Sequence, residues 1–118
     1  MGDFILTLLH AVTNTHILHF RANTFAEHET LGEFYTELGD LVDAVAEAMQ
    51  GRTGKKLEFP VQYYPPAATP LEELMMLRDY VDEERHGPEI PQNSEIQNII
   101  DEISSLIDTT INKLKNYK

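Results

Sequence analysis

The stretch HILHFRANTFAEHETLGEFY, residues 16–35, decides the fold because it joins two helical patterns through a short polar break. Before the break, the apolar positions of residues 3–20 recur at helical spacing, within about 60° of one direction. Within the break, Asn23 or Thr24 is suited to be the N-cap of a second helix. Three of the five histidines surround this break: His16, His19 and His28. In an antiparallel helix pair, His19 and His28 can converge.

The composition of the whole chain limits the classes of protein to which it can belong. With 118 residues, 42% of them hydrophobic, it predicts one domain over residues 1–118 with a single core. It has no cysteine, so a metal would have imidazole and carboxylate ligands. The N-terminal residues have no basic start, and no apolar run approaches the roughly 20 residues of a membrane span. We therefore expect a soluble, cytoplasmic protein that does not enter a membrane.

The charge balance is strongly acidic, with 9 Lys and Arg against 20 Asp and Glu, a net charge of −11. A protein that binds duplex nucleic acid needs a basic face that displaces counterions from phosphates. The sequence has no such face, so nucleic-acid binding is disfavoured. A basic protein surface is a better match for this charge.

Apolar periodicity predicts four helices, at about residues 3–20, 25–50, 70–86 and 94–116. Between the second and third, the segment GRTGKKLEFPVQYYPPAATP breaks the periodicity with glycines and prolines. Such a connection is long for a compact domain. It suits two helices that point the same way, as in bundles with one long connection. The predicted fold is therefore an all-α four-helix bundle with a long crossover between helices 2 and 3.

The second predicted helix has an unusual line of residues beside its apolar stripe. Glycine inside a helix costs about 1 kcal/mol relative to alanine. Two glycines on one line indicate either the close approach of another helix backbone or tolerated sequence drift. The line consists of His28, Gly32, Tyr35, Gly39, Asp43 and Glu47. By contrast, His10 and His86 belong to no such line and are expected at the surface.

Imidazole and carboxylate groups inside a helix bundle are typical ligands of iron. Asp43 and Glu47 are four residues apart and share a helix face. However, fifteen residues of helix separate His28 from Asp43, which is a rise of about 22 Å. These groups meet only if a second copy packs antiparallel along the glycine line. The predicted metal site therefore lies between subunits, with His19 and His28 from one and Asp43 and Glu47 from the other; His16 is a further candidate.

The segment HFRANTFAEHETLGEFYTELGDLVDAVAE resembles the core signature of the Dps branch of the ferritin-like proteins. That signature has a His-aromatic pair ending the first helix, a His-Glu pair opening the second, and an Asp and a Glu fifteen and nineteen residues after the second histidine. The matching residues are His19-Phe20, His28-Glu29, Asp43 and Glu47. The resemblance implies a ferritin-like fold in which iron is bound and oxidised between two-fold-related subunits. The sequence of this segment is also similar to that of small ferritin-like proteins of bacteriophages.

Two functions remain open at this point. The first is a Dps-like or ferritin-like protein that binds iron, or another divalent metal, with a ferroxidase-type site in a homodimer or a larger homo-oligomer. The second is a metal-free ferritin-like interaction module, such as a phage protein that engages a host protein in the host cytoplasm. Gly32 favours the second, because the Dps signature has an acid there. In that case the histidines are hydrogen-bonded core residues, and Asp43 and Glu47 are solvated.

Overall fold

The computed structural model describes residues 1–117, and Lys118 lies outside this range. The chain forms four helices: α1 (Gly2–Phe20), α2 (Phe25–Thr53), α3 (Pro70–Glu84) and α4 (Ser94–Asn116). Residues 1–117 contain no β-strand. The predicted all-α class and the four predicted helices are confirmed. No helix in the described part of the chain is long and apolar enough to cross a membrane.

Local sequence signals set the helix ends. Thr24 is the N-cap of α2, where its hydroxyl accepts a hydrogen bond from the Glu27 N–H. Thr69 plays the same part for α3, followed by proline at the first helical position. Each such cap is worth about 1 kcal/mol. At its far end, α2 continues three residues beyond the predicted end and stops at Gly54, which has a φ of 72° and is therefore the glycine suited to end the helix.

The third helix ends two residues earlier than predicted, at Glu84. The helix is followed there by a turn in which the Gly87 N–H donates to the Glu84 carbonyl oxygen at 2.9 Å, just before Pro88. The side chain of Arg85, the first residue after the helix, lies on α4 and donates hydrogen bonds to Gln97 and Asp101. Since these partners lie near the start of α4, the end of α3 and the start of α4 are held side by side. The two helices therefore run antiparallel.

The core takes apolar side chains from all four helices. Fully buried members include Leu8, Phe34, Leu38, Leu74 and Ile103, each with at most 1% of its surface exposed. The spacing of these residues within each helix places them on one face. Removing a side chain of this kind would cost about 2–5 kcal/mol, because the lost contacts leave a cavity.

Ion pairs show how α2 and α4 lie. Near the end of α2, Arg52 approaches Glu95 at the start of α4, with 3.9 Å between Nη1 and Oε1. In the first half of α2, Glu33 approaches Lys113 at the end of α4, with 3.4 Å between Oε2 and Nζ. The two helices therefore run antiparallel along their length.

The connection between α2 and α3, residues 54–69, follows α1 and is fixed to it by hydrogen bonds. The Asn14 side-chain amide donates to the Tyr64 carbonyl oxygen at 2.9 Å. The Tyr64 hydroxyl donates to Asp3 Oδ1 at 2.6 Å. This part of the chain thus covers a flank of α1, although it has no regular secondary structure.

Candidate functional site

The bend between α1 and α2 brings His19 and His28 together. Their Nδ1 atoms lie 2.6 and 3.1 Å from the backbone carbonyl oxygen of the other histidine. Because a carbonyl oxygen only accepts, each Nδ1 carries a proton, and in the tautomer that these hydrogen bonds select, Nε2 is the free nitrogen. A backbone carbonyl fixes the tautomer of a metal-binding imidazole in the same way. Both rings are therefore prepared to offer Nε2 as a ligand.

The two rings do not converge on a single ion in this arrangement. They stack with 3.7 Å between their centroids and 23° between their planes. A metal lies in the plane of each imidazole that binds it, about 2.0–2.1 Å from the nitrogen. Planes at this spacing and tilt intersect roughly 8–9 Å from the ring centres, which is too far for one ion to reach both rings at such bond lengths. As they stand, His19 and His28 supply one nitrogen each to separate positions.

His16 takes part in an aromatic stack beside this pair. Its ring stacks on Tyr35 of α2, with 4.1 Å between centroids and 14° between planes. It also stacks on Phe20, one turn further along α1, at 5.0 Å. The His16 and His19 rings are 6.0 Å apart. The stacking gives His16 a packing role across the α1–α2 hairpin.

Asp43 and Glu47 lie on the exposed surface of α2, far along the helix from the histidines. Neither carboxylate forms an ion pair with a described residue. Within residues 1–117, no three His, Asp or Glu side chains are grouped so that they could hold one metal ion. A site that uses the histidines together with both acids needs a second copy of the chain.

The two glycines on the predicted line have different surroundings. A Cβ atom at Gly32 would lie 3.2 Å from Cε1 of His19, so this glycine makes room for the imidazole of its own chain. A Cβ atom at Gly39 would meet nothing within 4 Å. The expected approach of another helix backbone therefore does not occur within the chain. The surface above Gly39 is therefore open.

An apolar surface surrounds the histidines on the outside of the α1–α2 hairpin. Phe20 and Phe25 are 73% and 76% exposed, and Leu9 is 39% exposed. Exposed aromatic side chains gathered in one area are typical of protein interaction surfaces. We call this surface the hairpin face and define it by helical spacing, which puts its members on one side of each helix: Leu9, Val12, His16 and Phe20 of α1, and Phe25, Tyr35, Gly39 and Asp43 of α2.

Sequence reasoning missed a second group of side chains, which includes His10. This histidine was expected at the surface but is half-buried, and its ring meets Tyr63 and Tyr64 edge-on at 6.3 and 5.2 Å. Both tyrosines come from the connection between α2 and α3. Local periodicity carries no information on a contact between such distant residues. The available sequence signal that this connection packs on α1 was the pair Tyr63 and Tyr64, which two prolines follow.

Comparisons with known proteins place the chain in a family. No curated protein and no solved structure matches it. Residues 19–114 match a family described as "Family of unknown function (DUF5856)", and the match begins at His19 and includes α2, α3 and nearly all of α4. Because the match extends over most of its length, the chain belongs to this family.

Proposed function

We propose that this chain is a ferritin-like four-helix bundle that binds iron between two copies of itself. The proposed ferritin-like bundle rests on the directions in which the helices run. Both α2 and α3 run antiparallel to α4, so they point the same way. The sixteen residues between them then act as the long crossover of such a bundle. Tyr64 of this segment accepts a hydrogen bond from Asn14 and donates one to Asp3, and both bonds support a crossover that runs along α1.

The proposed assembly is a homodimer with a two-fold axis, paired through the hairpin face. For His28 of one copy to meet Asp43 and Glu47 of the other, α2 must lie antiparallel to its copy. The axis then passes close to residues 35–38, because these are midway between the histidine and the acids. Tyr35 and Gly39 would flank the axis. Gly39, with open space above it, suits the close approach of two helices there.

The donor atoms fit a mixed nitrogen and oxygen site. One unprotonated Nε2 from the histidine pair and the carboxylates of Asp43 and Glu47 of a second copy are ligands that iron(II) accepts. Since the stacked rings do not converge, an ion would take the Nε2 of His28, and His19 would join it only if its ring turned on binding. A site with so few protein ligands would leave coordination positions open, and the iron(II) that these residues would hold could then be oxidised by peroxide or dioxygen, which is the ferroxidase-type chemistry proposed.

One observation carries the proposal. The imidazole pair, with both Nδ1 atoms tied to backbone, lies beside exposed Phe20 and Phe25 on a face that is open at Gly39. Aromatic side chains exposed in this way gain from being covered. A partner that covers this face in the two-fold arrangement also delivers two carboxylates that form no ion pair with a described residue of their own chain.

The decisive experiment uses mixed dimers. Neither His28→Ala nor Asp43→Ala should bind iron(II) at the shared site, when bound metal is measured anaerobically by elemental analysis. Mixed one to one after unfolding and refolding together, they should recover about a quarter of the wild-type sites, because half of the random dimers carry one intact site of two. The matched controls are His86→Ala and Asp108→Ala, which replace exposed residues elsewhere.

The outcome separates the two arrangements. A site within one chain gives no recovery on mixing. A wild type that is monomeric by light scattering, or that binds no iron, contradicts the proposal altogether.

A second function is favoured by the stacking of His19 and His28. The rings already satisfy each other through backbone carbonyls, so the pair is stable without a metal. The chain would then be a metal-free interaction module that presents the hairpin face to a protein with a basic surface. This function predicts that Phe20→Ser abolishes binding of such a partner, whereas Asp43→Asn, which leaves the aromatic members of the hairpin face unchanged, only weakens it.

A further inference from the structure

A cavity of about 430 Å³ lies between α1, α3 and the connection that crosses them. This volume is within the range of small-molecule sites, which are mostly apolar with a few polar groups. The apolar side chains include Leu77 and Met76 of α3 and Pro65 of the connection. We call it the α1–α3 cavity; its polar members are Thr7, His10, Asn14, Tyr64, Glu73 and Tyr80.

The walls of the α1–α3 cavity are held in place without a ligand. Asn14 and Asp3 both bond to Tyr64, which fixes one end of the covering segment to α1. The Ala67 N–H donates to Glu73 Oε1 at 2.9 Å, which fixes the other end to α3. A ligand would therefore enter a formed cavity, with little loss of chain entropy on binding.

Within residues 1–117, one polar group of the cavity lacks a hydrogen-bond partner, and another lacks an ion-pair partner. His10 Nδ1 is buried and has no hydrogen-bond partner among the described residues. Glu73 is half-buried and forms no ion pair with a described Lys, Arg or His. Burial raises the pKa of the Glu73 carboxyl, because its charged form loses hydration. A ligand that carries a positive charge would stabilise the charged carboxylate and so compensate for its lost hydration.

The aromatic members of the cavity suit the same kind of ligand. Burial raises the pKa of Tyr80, and the hydrogen bond to Asp3 raises the pKa of Tyr64, so both rings stay neutral at physiological pH. Neutral tyrosine rings attract cations through their faces. The net charge of −11 further raises the local concentration of cations. An anion would meet the Glu73 carboxylate, and no lysine or arginine lies among the described residues of the cavity wall.

We propose that the α1–α3 cavity binds a small organic cation, an amine on an apolar body, with its nitrogen at Glu73. The apolar body lies against Leu77, Met76 and Pro65, and the ammonium group lies between the carboxylate and the tyrosine rings. Neither the histidine pair nor the hairpin face takes part. The proposal is therefore independent of iron binding.

The test titrates the full chain with 2-phenylethylamine and with 2-phenylethanol, which has nearly the same shape but no charge. Binding is followed by amide chemical shifts in NMR spectra. We expect the amine to shift the resonances of cavity residues, with a Kd in the millimolar range or below, and to bind about tenfold more tightly than the alcohol. Glu73→Gln should remove this preference. Glutamine keeps the oxygen that accepts from Ala67, so the cavity wall remains tied.

The matched control is Glu72→Gln, which removes a neighbouring exposed carboxylate on the same turn. It should leave the affinity for the amine unchanged. Equal affinity for amine and alcohol would overturn the proposal, as would shifts that map to the hairpin face, or an equal loss in Glu72→Gln. If Glu73→Gln does not fold, the amine and alcohol titrations of the wild type decide alone.

Discussion

The two helix hairpins of this chain are closed in different ways at their bends. In α3–α4, Arg85 donates to the side chain and backbone oxygens of Gln97 and to Asp101, and its own carbonyl accepts from Gln92 and Gln97. In α1–α2, two imidazoles each bond to the opposite backbone carbonyl. The first bend is a network of charged and amide groups. The second is a pair of rings among exposed aromatic side chains.

The difference indicates which bend is structural and which is available for function. Only 13% of the Arg85 side chain is exposed, and its guanidinium is engaged by its neighbours. His19 and His28 use one nitrogen each to close the hairpin and retain the other. A bend that needs only half of its hydrogen-bonding groups for stability can use the rest for a ligand.

The largest effect is expected from Arg85→Ala. It removes three donated hydrogen bonds and leaves the polar groups of Gln97 and Asp101 without their partner, which should lower the free energy of unfolding by about 2–3 kcal/mol. Urea unfolding measures this. Arg78→Ala is the control, since the Arg78–Asp79 pair is at the surface and at 3.9 Å; it should cost less than about 0.5 kcal/mol. A similar loss of unfolding free energy in both variants would show that the Arg85 hydrogen bonds do not hold the α3–α4 hairpin together.

A smaller effect is expected from the histidine pair. His19→Ala or His28→Ala each removes one hydrogen bond, the stacking contact and one partner of a carbonyl, for a loss of about 1–2 kcal/mol. Because the bonds are reciprocal, the double variant should lose less than the sum of the two single variants, with a coupling of about 0.5–1.5 kcal/mol. His86→Ala, at an exposed position, should be neutral. Additive losses would mean that the rings act separately and do not close the hairpin together.

The smallest effect comes from the glycines of α2. Gly39→Ala and Gly51→Ala meet open space, so each should stabilise the isolated chain by roughly 0.5–1 kcal/mol through helix propensity. Gly32→Ala places its methyl group against His19 and should gain less, or lose stability. Gly39→Leu sharpens the comparison, because it should weaken self-association in light scattering while leaving the isolated chain folded. Unchanged self-association would place the interface elsewhere.

Local chemistry explains how much of the fold the sequence could predict. Thr24, Thr69 and Pro70 were recognisable as helix starts because a cap acts over three residues. Among the polar side chains at the start of α3, it is Glu73 that accepts a hydrogen bond from the preceding chain, at the Ala67 N–H. That choice depends on where the preceding chain lies, and a local pattern does not contain it.

The candidate site was predictable in position but less so in geometry. Periodicity placed His19 near His28, and the structure brings them together. It could not give the stacking of the rings, which depends on side-chain torsions. It identified Gly32 as a point of close approach, but the neighbour is an imidazole across the bend. Residue spacing predicts which residues share one face of a helix, but it does not predict which side chain of another helix packs against that face.

The bonds of Tyr64 also set an order of events in folding. The two hairpins close through contacts that span 9 and 12 residues, at His19–His28 and Arg85–Gln97. Tyr64, by contrast, bonds to Asn14 and Asp3 across 50 and 61 residues. Closing a longer loop costs more entropy and takes longer, so the hairpins should form early and Tyr64 should dock late. The crossing segment is then the last part of the chain to find its place, and the cavity beneath it exists only once folding is complete.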